Sequence, residues 1–519
     1  MSFKSDGAAK SSVAKQATVR AGSNDIKLDH SGLPLIPQPT ASPFDPLNYP
    51  DWLKYTILVE VSFLAFLATL NVAIINPAVV PLSDEFRISH VKGTYQTTIA
   101  IGTSALGPLM FTPFANVYGR RSAYLLSILI GFASAVGSAS AKSFGTLILA
   151  RALNGFGPSA ALGLGAGTVV DLFYMHERGK AMGFFTLTMT QGAHFAPIVG
   201  GYVARARGWR WCFWVGAILN GVMFLICLLF MPETLFDRPT TTELVYDLDD
   251  DEKIQPSEEI QRERYIAPPM TLGAYLNRLW FFDLERPPTR RLRAADFVIK
   301  PLSMLKYPSV AIPAFYYAVC YGFASIEPAL TVAPLFTQIY HFDTVRNGYP
   351  TSLIFFSLGE LCSGPVTDMM MQRARRKALV SGESASAEVR LQGIWSGAVT
   401  VPMGLLIYGF TIHFSTTFIA PCIGMAVACF GVQIVTSVCY TYSCSDCYRS
   451  RSNDVSQCFN FFRQVFGLTL GFYSIPFGTK IGFQFSFLVF TMICILAFLP
   501  IVALMFVGER WRKIEPKEI

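Results

Sequence analysis

Residues 107–141 read GPLMFTPFANVYGRRSAYLLSILIGFASAVGSASA, and this stretch decides the fold. One apolar block ends, Gly119-Arg120-Arg121 turns the chain, and a second block over 122–141 follows without a charged residue. At 1.5 Å rise per residue, a block of about 20 residues crosses a hydrocarbon core of roughly 30 Å. Such a block lacks the charged face of a soluble amphipathic helix. In lipid the backbone must satisfy its own hydrogen bonds, which selects helices. A barrel would show alternating strands of about ten residues instead.

The pattern continues in both directions. Twelve apolar blocks occur: 55–80, 95–117, 122–141, 144–170, 181–204 and 211–231, then 308–337, 350–371, 393–413, 416–442, 456–478 and 482–507. The expected fold is an all-α membrane protein with twelve transmembrane helices in two six-helix bundles, 55–231 and 307–507. A polar tail, 1–54, is expected to be disordered and cytoplasmic. A charged cytoplasmic linker, 232–306, joins the halves, and 508–519 forms a second tail. An even number of spans puts both termini on one side. The loops on that side carry Arg120, Arg121, Arg178, Arg373, Arg375 and Arg376, and Lys and Arg favour it by about two to one. That bias assigns it to the cytoplasm. The plasma membrane is the expected location, with the vacuolar membrane as alternative.

Composition excludes several classes. The chain is 52% hydrophobic and 15% charged, against about a quarter charged in soluble domains. The formal net charge of +7 does not indicate nucleic acid, because no soluble domain presents a basic face. Most cysteines sit in apolar blocks and read as small buried hydrophobes. Cys444-Ser-Asp-Cys447 is a lone CxxC with no second pair. The sequence carries no phosphate-binding loop, no metal-ligand cluster and no nucleophile constellation, so neither an enzyme nor a cofactor is expected. In the linker an acidic run (Asp247, Asp249, Asp250, Asp251, Glu252) precedes a basic one (Arg286, Arg290, Arg291, Arg293). Leu272–Leu284 is expected to lie along the inner leaflet or in a solvated linker.

The halves look related. Gly107, Pro113 and Asn116 recur at a constant offset as Gly359, Pro365 and Asp368, and Asp171 and Gly192 recur as Asp446 and Gly467. Duplicated halves are a transporter device, with the site near the midplane between them. Gly119 permits a tight turn. Arg120 and Arg121 can meet lipid phosphate, helix C-termini or a neighbouring carboxylate. Such a turn either latches one conformation or only anchors the chain.

At these residues the chain resembles a known family. The turn ending Asn116-Val-Tyr-Gly119-Arg120-Arg121 is similar to the loop motif of the major facilitator superfamily, G-x-x-x-D-x-x-G-R-R/K, with Asn116 where that pattern has Asp. Asp368 keeps the acid in the second half, without a following Gly-Arg-Arg. Arg151-Ala-Leu-Asn-Gly155-Phe-Gly157 resembles the superfamily's R-x-x-x-G-x-G motif, which implies an influence on proton transfer. Gly192-Ala-His-Phe-Ala196-Pro197-Ile-Val-Gly200-Gly201 is similar to the antiporter motif G-x-x-x-G-P-x-x-G-G, with Ala196 replacing Gly. The resemblance implies a bend at Pro197 that packs against the second half and limits proton leak. Asp45–Trp52, Trp209–Trp214, Pro232-Glu-Thr234 and Asn460–Gly467 look like the fungal branch of twelve-span drug:proton antiporters. The resemblance covers nearly all of 44–510.

Ionisable residues inside spans are costly and therefore functional candidates. They are Glu60, Arg151, His194, Glu327, Glu360 and Arg463. Burial disfavours a charged carboxylate, so such a group exchanges protons, and an organic cation can compete for it. Glu327 precedes Pro328 and follows Tyr316, Tyr317 and Tyr321. It reads as a substrate or proton site, or as a partner of Arg463. Glu360 reads the same way, or as a brace for the latch around Asp368. Glu60 takes part in transport or snorkels to the interface. His194 takes part or donates to a backbone carbonyl. Asn71 and Gln191 are candidate uncharged contacts. With the resemblance, these residues imply a monomeric, proton-coupled exporter of a drug, polyamine or secondary metabolite, working by alternating access. Proton-coupled nutrient uptake and a transporter-like nutrient sensor are the alternatives.

Overall fold

The computed structural model describes residues 35, 37–236, 272–279, 293–343, 345, 387–448 and 451–514. Among these, nine helices or joined helical runs are long and apolar enough to cross a membrane. The first half holds α1 (Asp51–Ala73) continuing through α2 (Val79–Glu85), then α3 (His90–Ser104) with α4 (Leu106–Tyr118), and α5 (Arg120–Ala139). It continues with α6 (Phe144–Phe156) and α7 (Ala160–Leu172), α8 (Met175–Arg207) and α9 (Arg210–Phe230). The linker contributes α10 (Leu272–Arg278), α11 (Ala294–Phe297) and α12 (Ile299–Ser303). The second half holds α13 (Pro308–Tyr321) with α14 (Glu327–Tyr340), α15 (Trp395–His413), α16 (Ile419–Tyr440), α17 (Ser452–Ile481) and α18 (Phe483–Ile514). Of these long helices, α8 and α17 are the two that miss the apolar criterion. Both turn polar residues toward the space between the halves, Thr190 and His194 from α8 and Arg463 and Gln464 from α17. The expected eighth span, 350–371, lies outside the described residues, and with it Glu360 and Asp368.

A belt of exposed apolar side chains, such as Leu149, Ile218, Leu225 and Phe506, marks the surface that faces lipid. The helix breaks have local causes. Pro77 lies in a 3-10 turn, Asn76–Ala78, that separates α1 from α2, because proline and its preceding residue resist α-helical continuation. Pro328 lacks an N–H, so the Ala324 carbonyl one turn earlier loses its donor. The Cys429 thiol supplies a substitute at 3.6 Å. Just ahead of Pro328, residues Gly322–Ile326 widen into a π-helical turn.

The end of the bundle that carries the termini is tied together by Glu233. Its carboxylate accepts from the backbone N–H of Arg120 at 2.9 Å and of Arg121 at 3.1 Å, capping the start of α5. It also accepts from Leu235 N–H at 2.7 Å. Burial pushes the Glu233 carboxyl up, and these N–H donors oppose that shift. Gly119 makes the approach possible. Its φ is +102° and its ψ 151°, and a Cβ there would lie 2.3 Å from a Glu233 carboxylate oxygen. This backbone region is almost exclusive to glycine. Gly119→Ala is therefore expected to destabilise the protein by about 1–3 kcal/mol, read as a lower unfolding midpoint in detergent.

The tail before the first span is not structureless up to residue 54, as its composition led us to expect. Asp45 accepts from Thr40 N–H at 2.9 Å and Leu47 N–H at 3.1 Å. Asn48 donates to the Thr40 and Ser42 carbonyls, each at 2.8 Å. Asp and Asn build such turns from their own side chains, and helix α1 starts at Asp51. Tyr49 then donates to the Glu233 carbonyl at 2.8 Å. Helix α10 joins this cluster rather than lying apart from it. Its Tyr275 donates to the Leu229 carbonyl at 3.0 Å, and the Arg278 guanidinium sits 4.9 Å over the Phe44 ring.

Candidate functional site

A cavity of about 130 Å³ lies between the two halves. The first half lines it with α1, the 3-10 turn, α3, the start of the α7 segment and α8, through residues that include Val72, Asn76, Thr97, Leu162 and His194. The second half lines it with Tyr321, Ser325, Ile326 and Ala329 of the seventh span and with Arg463 and Gln464 of α17. Arg463 is 8% exposed. One guanidinium nitrogen donates to Asn460 Oδ1 at 2.7 Å and the other to Tyr317 hydroxyl at 3.4 Å. Its carbon lies 4.7 Å over the Tyr321 ring.

Beyond the cavity, toward the end away from the termini, the halves are zipped by small residues. A Cβ on Gly471 would lie 2.0 Å from Thr98 Oγ1, and one on Gly102 would lie 2.7 Å from a Leu468 methyl. Tyr95 meets Phe472 at 5.3 Å between ring centroids, and at the cavity wall itself Gln464 donates to Ser104 Oγ at 2.7 Å. Close approach of this kind needs small residues. Gly471→Leu should wedge this seam apart and cut transport by at least about tenfold, since a single-methylene overpack already costs about 1–3 kcal/mol. Labelling of a cysteine placed at Thr98, faster than in the parent, would report the opening.

The motif turns out to hold the first half together. In α8, a Cβ on Gly192 would lie 2.2 Å from the Phe66 carbonyl, and one on Gly200 would lie 1.8 Å from the Ile74 carbonyl. The glycines thus seat α8 on α1 of the same half. Thr69 Oγ1 adds a bond to the Met189 carbonyl at 2.9 Å. Pro197 and His194 of the same helix line the cavity instead. Gly107, Gly155 and Gly157 likewise permit close helix contacts, the tightest being 1.9 Å from a Cβ on Gly107 to Ser159 Oγ. Arg120 pairs with Asp171 at 2.6 Å, and Arg121 caps the end of α9 by donating to the Cys227 carbonyl at 3.0 Å and Leu228 carbonyl at 2.8 Å. Among the described residues both arginines therefore act within one half. Asn116 is exposed.

Several expected site residues lie elsewhere. Glu327 is 1% exposed and does not line the cavity. It sits inside the second half near Thr331 and Tyr408 and forms no ion pair with Arg463 among the described residues. Its Oε2 has no hydrogen-bond partner. Tyr317 is buried against Phe459 and Tyr440 and reaches the cavity only through Arg463. Glu60 is 3% exposed, so it does not snorkel; its charged neighbour is Arg121. Asn71 and Gln191 are also outside the described lining. Arg151 is fully buried and donates to the Asn71 carbonyl at 2.7 Å, the Val72 carbonyl at 2.8 Å and Asn154 Oδ1 at 2.7 Å. In an unbroken α1 those two carbonyls would accept from Ile75 and Asn76. Arg151 thus repairs the break beside the cavity. Sequence reading missed Glu233 as a cap and the neutral pair Ser104 and Gln464. The first had a signal in the Pro232-Glu-Thr run, and the second had none.

A polytopic helical protein with a largely apolar cavity between its two halves, edged by a few polar side chains, is a membrane transporter by architecture. The sequence pattern of the Major Facilitator Superfamily matches residues 61–472, and the chain belongs to that family. The MFS-type transporter atr4 of Stereocaulon alpinum is 28% identical, over 91% of this chain and 80% of its own. The efflux pump radE of Floropilus chiversii is 25% identical, over 91% and 83%. The MFS antiporter QDR3 of Candida albicans is 24% identical, over 77% and 70%. A crystal structure of a D-xylose-proton symporter superposes with a TM-score of 0.58, covering 87% of this chain and 97% of its own at 15% identity, which speaks to the fold alone.

Proposed function

We propose that this protein exports small organic molecules, of the drug or secondary-metabolite kind, in exchange for protons entering the cell. The observation that carries this reading is Glu327, a carboxyl sealed inside the second half with an unpartnered oxygen and, among the described residues, no cation beside it. A charge left alone there costs several kcal/mol. The group must therefore lose its proton only when a conformational change wets it, which links proton transfer to alternating access. Glu327 is not among the residues that line the cavity, so the coupling is indirect: proton and cargo do not compete for one carboxylate. The antiporter-like motif in α8 and the names of two relatives, an efflux pump and an antiporter, support the outward direction. The protein works as a monomer in the plasma membrane, with the termini and linker in the cytoplasm. One proton entering supplies about 1.4 kcal/mol per pH unit and about 2.3 kcal/mol per 100 mV.

A deletion strain grown against a panel of toxic compounds tests the direction. Hypersensitivity to a subset, reversed by the wild-type gene, is the expected result. Increased resistance would indicate uptake and overturn the export reading.

A further inference from the structure

We infer that the cargo is an organic acid with an apolar body, and that Arg463 binds its anionic group in the central cavity. Arg463 is more than nine-tenths buried and lines the cavity. No carboxylate among the described residues pairs with it, and its Nε has no hydrogen-bond partner. Its contacts are a phenol oxygen, an amide oxygen and a ring face. A guanidinium buried without a counter-charge is costly. An anion entering the cavity supplies that counter-charge to the guanidinium through a charge-assisted bond. The described lining contains no carboxylate that would favour a cationic cargo, while Val72, Ile101, Leu162 and Ile326 offer an apolar wall. The charge comes from the second half and most of the apolar wall from the first. Cargo therefore bridges the two halves that alternating access must bring together.

This inference rests on the transport reading but not on its direction, so equilibrium binding tests it separately. The unfolding midpoint of the purified full chain in detergent is measured with sodium benzoate, sodium salicylate and sodium cinnamate. Salicyl alcohol, benzyltrimethylammonium chloride and sodium chloride at equal ionic strength serve as comparisons. At least one carboxylate should raise the midpoint while the alcohol, the cation and the salt do not. Arg463→Gln should weaken that carboxylate's apparent affinity by at least about tenfold, and Arg463→Lys should recover part of it. Stabilisation by the cation alone, no stabilisation by any carboxylate, or stabilisation unchanged in Arg463→Gln would overturn the inference. The wild-type comparison decides the matter even if the variants do not fold. A failure here leaves export standing, and loss of the export result leaves the binding result standing.

Discussion

Glu327→Gln is expected to abolish proton-driven accumulation of substrate in inside-out vesicles while leaving substrate exchange across the same vesicles intact. The amide keeps the shape and one carbonyl oxygen of the acid but cannot release a proton. The buried surroundings of Glu327, with Thr331 bonded to its backbone at 3.0 Å and Tyr408 one step beyond, tolerate a neutral group. The variant should therefore fold, bind and isomerise when loaded, and lose only the coupling to pH. Loss of net accumulation by more than about tenfold with retained exchange is the signature. If accumulation and exchange fall together, Glu327 is a structural residue and the proton site lies elsewhere.

Arg151→Ala should have the largest effect on stability. It removes a buried cation and leaves the Asn71 and Val72 carbonyls without donors beside the break in α1. Each orphaned buried group costs about 1–3 kcal/mol, so a loss of about 3 kcal/mol or more follows. The unfolding midpoint in detergent reports it. Arg151→Lys should recover only part, because an ammonium lacks the planar fork that reaches both carbonyls and Asn154 together. A midpoint within error of the wild type would mean that the break in α1 needs no tether.

The spans were legible because lipid leaves the chain few options. Blocks of apolar residues with Gly119-Arg120-Arg121 between them allow little besides helices. What the sequence hid was rotation. Tyr321 and Glu327 were grouped as one aromatic and acidic site. The π-helical turn Gly322–Ile326 adds a residue between them. At roughly 100° per residue, even a straight α-helix puts residues six apart about 120° from one another, and the structure sends Glu327 into the bundle and presents Ser325, Ile326 and Ala329 to the cavity. Nothing in the residue types announces that turn. Buried helices also lack the polar face that would fix their rotation, which is why Glu60 reads as an interfacial residue yet faces Arg121. The spacing of the α8 glycines does not name the helix they meet, which the structure shows to be α1. Arg463 was found because a charge in an apolar span stands out. Its lack of a counter-charge became visible only once its neighbours were in place.

The central claim is proton-driven export, and transport into inside-out vesicles tests it most directly. The probe is a compound to which the deletion strain is hypersensitive. Acidifying the vesicle lumen relative to the bath should drive its accumulation in the lumen, and collapsing the pH difference with a protonophore should release it. Accumulation that persists after the collapse, or a lumen-acidic gradient that drives the compound out, would contradict the account.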